Sequence, residues 1–152
     1  MKRDQVREIG LFFLMGFMDE KVALAAASRC VAKVKVAQES SDAPFETVQL
    51  IKVCREAWNV FRKQIPRNQP LTTPTESWLL PPELDISIWT RYQKDAADED
   101  IMALLFSLVF GVSDQELADG FQTSVGTIRY RLGKGVRQLG LVVRAQRTGG
   151  MP

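Results

Sequence analysis

Apolar side chains recur at helical spacing through most of the chain. From Val6 to Met18 they fall at positions 6, 9, 12, 13 and 17, one face of a helix, and predict a first helix there. Asp19 is placed to cap a second helix that runs through Val36. In it Val22, Ala25, Ala26, Cys30, Val31 and Val34 share a face, with Lys33 and Lys35 towards the other side. The segment QESSDAP breaks the pattern. Pro44 then opens a third helix to about Gln64, with Val48, Ile51, Val53, Cys54, Trp58 and Phe61 mostly inward. No alternating run of strand length occurs, and the expected fold class is all-α.

Residues 66–82, PRNQPLTTPTESWLLPP, hold five of the seven prolines. Each ring removes a backbone donor and disfavours helix at the residue before it, so this stretch reads as a linker. It is either a plain spacer or a segment that docks in a partner through Trp78, Leu79 and Leu80. A short helix from Pro82 to Lys94 follows, with Leu84, Ile88 and Trp89 as its apolar side. The run DAADED then places carboxylates where a helix N-terminus favours them. The expected organisation is two small helical lobes, 1–65 and 98–145, joined by an acidic Pro-rich linker, 66–97, and followed by a flexible tail, 146–152.

The second lobe carries the most specific pattern. Asp98 or Asp100 begins an apolar helix, IMALLFSLVF, stopped by Gly111. Ser113 caps a short helix, DQELADGF, and Glu116 completes a capping box. After the turn FQTS, Ser124 caps the segment VGTIRYRLGKGVRQLGLVV. Along it Val125, Ile128, Leu132, Val136 and Leu139 form a core stripe, while Thr127, Arg129, Tyr130, Arg131, Lys134 and Arg137 point elsewhere. This is the plan of a helix-turn-helix, with Ala118 as the small residue that lets its second helix pack close. Gly133 and Gly135 fall inside that second helix, at a cost of roughly 1 kcal/mol each against alanine.

Composition narrows the classes. The 152 residues are 45% hydrophobic and 25% charged, as in a soluble globular protein. A net charge of +2 says little by itself, but it is unevenly spread. Residues 1–68 carry 12 basic and 8 acidic side chains, 69–100 carry 2 and 7, and 101–152 carry 6 and 3. Two basic lobes flank an acidic connector. There is no histidine, and Cys30 and Cys54 lack a CxxC partner; neither a metal site nor any catalytic residue or cofactor is expected. No candidate nucleophile has a positioned base, so an enzyme is not expected. The amino terminus places a basic end before GLFFLMGFM, as a signal peptide would. Asp4, Glu8 and the missing small-residue cleavage site instead favour a core helix, a cytoplasmic location and no membrane partner.

The string VSDQELADGFQTSVGTIRYRLGKGVRQL resembles the minus-35-binding domain of bacterial sigma factors, over about residues 100–140. LuxR-type response-regulator domains share much of it. The whole layout is similar to that of the small extracytoplasmic-function sigma factors. Within it MDEKVALAAASRCVAKVK resembles the helix that binds core RNA polymerase, and PFETVQLIKVCREAWNVFRKQ the helix that reads and melts the minus-10 element. In the first of these, VALAAASRCVAK stands where the family carries an acidic and glutamine pattern. Gln122 stands where it usually carries glycine, which implies a left-handed residue at a cost of about 1 kcal/mol.

The resemblance implies a transcription initiation regulator whose partners are DNA, core RNA polymerase and an anti-sigma factor. Arg129 and Tyr130 would reach base edges in the major groove. Arg131, Lys134 and Arg137 would meet phosphates, together with the backbone amides from Ser124 to Thr127. About five such contacts give a log-log salt slope of roughly −4 to −5. On the third helix Lys52, Arg55, Trp58, Asn59, Arg62 and Lys63 either suit single-stranded DNA or form a solvated face with Trp58 in the core. A stand-alone DNA-binding regulator, and a sigma mimic that binds only a protein, are the alternatives.

Overall fold

A computed structural model describes residues 3–40, 42, 45–65 and 86–149, with side chains as far as residue 145. Seven α-helices and no strand occur among them: α1 Arg3–Phe17, α2 Glu20–Glu39, α3 Thr47–Arg62, α4 Ser87–Asp95, α5 Asp98–Leu105, α6 Asp114–Phe121 and α7 Val125–Gly149. A five-residue π-helical turn, Phe106–Phe110, continues α5 and ends at Gly111, whose φ is 63°. Trp78, Leu79 and Leu80, the segment read as either spacer or docking element, lie outside the described residues, as do Pro44, Pro82 and Leu84. No helix among the described residues is long and apolar enough to cross a membrane.

Local chemistry sets the helix ends. Asp19 Oδ1 accepts from the Val22 N–H at 3.0 Å, capping α2 as expected. The helix before it closes at Met18, a left-handed residue with φ 52° whose N–H donates to the Leu14 carbonyl at 2.9 Å. At α3, Gln49 Oε1 accepts from the Glu46 N–H at 3.0 Å. The last carbonyls of α1 lack helical partners, and α4 supplies them. Trp89 Nε1 donates to the Met15 carbonyl at 2.7 Å, and Gln93 Nε2 donates to the Met15 and Gly16 carbonyls at 2.8 and 2.9 Å.

Trp58 fills the centre of the amino-terminal helices. It is fully buried, with its ring centroid 5.6 Å from that of Phe12 and 4.8 Å from that of Phe17. Cys30 and Cys54 are buried free thiols with their sulfurs 3.4 Å apart, and burial pushes the Cys54 thiol well up, with Cys30 adding to the shift. Ala25 is exposed, not on the inner face: Ala23, Ala26, Ala27, Cys30 and Val34 take it. Small side chains there let α2 lie close against its neighbours.

The two halves share one core. Phe106 stacks on Phe12 at 4.5 Å and meets Phe121 edge-on at 5.8 Å, joining α1, the π-helical turn and α6. At Gly120 a Cβ would lie 2.5 Å from Ile51 Cγ2, so α6 presses its backbone onto α3. Val136 departs from the expected stripe and is 62% exposed. Gly135 is buried in its place, and a Cβ there would lie 3.1 Å from Tyr92 Oη and 3.6 Å from Leu104 Cδ2. Packing against α4 and α5 thus turns α7 by one residue, through Ile128, Leu132, Gly135, Leu139 and Val142. The helix cost of Gly135 is the cost of that close approach.

Candidate nucleic-acid interface

The turn between α6 and α7 is built from local hydrogen bonds. Ser113 Oγ accepts from the Glu116 N–H at 3.1 Å, and Glu116 Oε1 accepts from the Ser113 N–H at 3.0 Å. The Ser113 amide holds the Glu116 carboxyl below its usual range. Gln122 ends α6 with φ 54° and ψ 48°, its N–H donating to the Asp119 carbonyl at 3.3 Å. Ser124 Oγ then accepts from the Thr127 N–H at 3.1 Å, and the two hydroxyls lie 2.9 Å apart. Ala118 is buried. Replacing Gln122 with glycine should raise stability by about 1 kcal/mol, because glycine carries no Cβ penalty in the left-handed region. An unchanged urea midpoint would count against the strain.

The seven residues of the expected DNA-facing set do not share one environment. Arg129 and Tyr130 project from α7 and are exposed, 71% for the arginine side chain and 64% for the tyrosine. Arg129 Nε lies 3.2 Å from Asp114 Oδ2 on α6. Arg137 is exposed, and its guanidinium runs back along the helix, 3.4 Å from where a Gly133 Cβ would be. Ser124 and Thr127 are occupied in the cap. Arg131 and Lys134 turn towards α5: Arg131 Nη1 is 3.8 Å from Glu99 Oε2, and Lys134 Nζ is 3.3 Å from Asp100 Oδ2. Asp100 is buried, and its charge adds to the burial that pushes the Tyr92 hydroxyl up to about 12.

The set on α3 divides in the same way. Trp58 is in the core, so this conformation offers no indole face for a base to stack on. Arg55 Nη2 donates to both Glu99 carboxylate oxygens at 3.3 and 3.2 Å, and its guanidinium lies 4.4 Å from the Phe121 ring centroid. Arg62 Nε donates to Asp98 Oδ1 at 3.4 Å, and its Nη1 to the Ile65 carbonyl at 3.3 Å. Lys52, Asn59 and Lys63 remain exposed, and their spacing puts them on one face of α3. Lys33, half-buried at the flank of the inner face of α2, pairs with Glu56 of α3 at 3.1 Å.

Sequence reasoning placed these carboxylates at a helix start but missed that they pair with the cations of α3 and α7. Asp98, Glu99 and Asp100 occupy the first turn of α5, as helix polarity favours, and each also holds a cation from α3 or α7. The only signal was the charge contrast between DAADED and the flanking lobes. Nothing in it said which cations the carboxylates meet.

Two helical groups packed through one ring cluster, with a capped two-helix turn at the carboxy-terminal end, make a sigma-factor-like fold. A solved structure of this kind is the co-crystal of the sigma factor RpoE in complex with the anti-sigma factor NepR from Bartonella quintana. The similarity covers 91% of each chain with a TM-score of 0.71 and 15% sequence identity, and what the two share is the fold. No protein-family model matches the sequence, and no curated protein matches it.

Proposed function

We propose that this chain is a sigma-like regulator of transcription initiation that binds promoter DNA through α6 and α7 and core RNA polymerase through α1–α3. The observation that carries this reading is the sigma-like fold over 91% of the chain. Local geometry supports it: α6, a short turn and α7 follow in the order a helix-turn-helix needs, and Arg129, Tyr130 and Arg137 stand exposed on α7. An arginine there can bond guanine at two acceptors, and Tyr130 adds an apolar ring with a polar tip.

The test is selection of bound duplexes from a random-sequence library, with and without core polymerase. A recovered consensus, and co-migration with the polymerase, are the expected results. Arg129→Ala should then weaken binding to that consensus about tenfold, the lower part of the range for one bidentate base contact. Arg137→Ala should weaken consensus and scrambled duplexes alike. Equal binding by wild type and Arg129→Ala would remove Arg129 from base readout.

A second reading is a sigma mimic that binds only a protein; a protein partner is compatible with the similar RpoE structure, which is in complex with an anti-sigma factor. It predicts partner binding that is indifferent to Arg129→Ala and to salt, with no duplex selected.

A further inference from the structure

Three consecutive carboxylates at the start of α5 grip cations from both candidate DNA-contacting helices. Asp98 holds Arg62 of α3 at 3.4 Å. Glu99 holds Arg55 of α3 at 3.2 Å and faces Arg131 of α7 at 3.8 Å. Asp100, buried, holds Lys134 of α7 at 3.3 Å. The arginine side chains in these pairs are only 23–26% exposed, against 71% for Arg129 on the same α7. The pairing is therefore selective. It takes two of the four cations of the expected α7 set and two of the four on α3, and leaves the rest on the surface.

We propose that Asp98, Glu99 and Asp100 form an internal phosphate mimic, a latch that occupies Arg55, Arg62, Arg131 and Lys134 and that DNA must displace. The proposal rests on the DNA-binding reading above. A carboxylate offers guanidinium and ammonium groups the same anionic oxygens that a phosphate does, so the two compete for the same donors. Glu99 is the centre of the device, since it faces Arg55 of α3 and Arg131 of α7. Its release would free Arg55 and Arg131 together. Nucleic acid would then gain contacts as the closed arrangement gives way, coupling DNA binding to separation of α3 and α7 from α5.

The experiment uses the full chain and a random-sequence 20-base-pair duplex, with affinity measured by fluorescence anisotropy across a salt series. Glu99→Gln keeps the side-chain shape and removes the charge. It should bind about tenfold more tightly than wild type at low salt. Its log-log salt slope should be steeper by about one to two, as one or two further phosphate contacts require. Asp95→Asn changes net charge equally at an exposed position on α4, and should leave the slope unchanged. Asp98→Asn, which removes the carboxylate that holds Arg62, gives a second variant should Glu99→Gln fold poorly, with a slope steeper by about one. Equal slopes for wild type, Glu99→Gln and Asp98→Asn would overturn the latch while leaving DNA binding intact. No binding by any of the four proteins would remove the DNA-binding reading, and the latch with it.

Discussion

Trp58→Ala is expected to lose about 3–5 kcal/mol of folding stability, the range for deleting a large buried aromatic. The indole is fully buried between Phe12 and Phe17, and Gly16 lies so close that a Cβ there would sit 2.2 Å from Trp58 Cζ3. Glycine has no side chain with which to fill the space, so most of the cavity would persist. A loss of this size is a large share of the total stability of a typical domain, about 5–15 kcal/mol. Trp58→Phe should lose much less. It keeps most of the ring contacts and removes the Trp58 Nε1–H, a buried donor without a partner among the described residues. Urea unfolding of the two variants decides between the roles weighed for this residue. A surface tryptophan that stacks on bases would give a change within about 0.5 kcal/mol and a loss of single-strand binding instead.

Gly120→Val is expected to lose about 2–3 kcal/mol, against the usual direction for replacing a helical glycine. Replacing glycine within a helix gains a few tenths of a kcal/mol with valine and about 1 kcal/mol with alanine. At Gly120 that gain is outweighed. The new Cβ would meet Ile51 Cγ2 at 2.5 Å and Ile51 Cβ at 2.8 Å, and overpacking of this kind costs about 1–3 kcal/mol. Branching at Cβ adds atoms to a contact already too short, and α6 would have to move off α3. The Gly120 carbonyl, which accepts from Arg55 Nη1 at 3.5 Å, would move with it. Gly140→Ala is the control, because nothing lies within 4 Å of its Cβ position, and it should gain up to about 1 kcal/mol. If thermal unfolding showed Gly120→Val to be as stable as wild type, α6 would not be docked on α3.

These two positions bear on the same property of the molecule. Trp58 belongs to the core of α1–α3, while Gly120 belongs to the seam where that core meets α6. The seam also contains Phe12, Phe106 and Phe121, so the ion pairs of Asp98 and Glu99 with α3 lie beside an apolar contact. Releasing the carboxylates frees cations, and wedging Gly120 separates helices. The two perturbations thus read different parts of one interface.

Much of the local structure was legible in the sequence. Asp19, Ser113 and Ser124 each cap through a bond to the residue three positions on, a relation that spacing alone displays. Gly111 ends the run before α6, as the conformational freedom of glycine allows, whereas the left-handed Gln122 goes against backbone preference and was implied only by the family resemblance, which sets glycine there. Ala25 and Val136 are the instructive errors. Both sit one position from a buried residue, Ala26 and Gly135, and helical periodicity alone leaves the rotation of a helix uncertain by about that much. Which neighbour turns inward depends on what the facing helix brings, as Tyr92 and Leu104 do at Gly135.

By itself, then, the sequence determined an all-α chain, its caps and turns, and the cationic character of α3 and α7, because these follow from contacts within about one helical turn. Tertiary structure alone decided the environments of Trp58, Arg55, Arg62, Arg131 and Lys134. Their partners lie far along the chain, 44 residues away for Arg55 and 36 for Arg62, and periodicity carries no information about which distant charge a folded surface brings alongside. The carboxylates of α5 acquire their role only when packing of the ring cluster sets them between two basic helices.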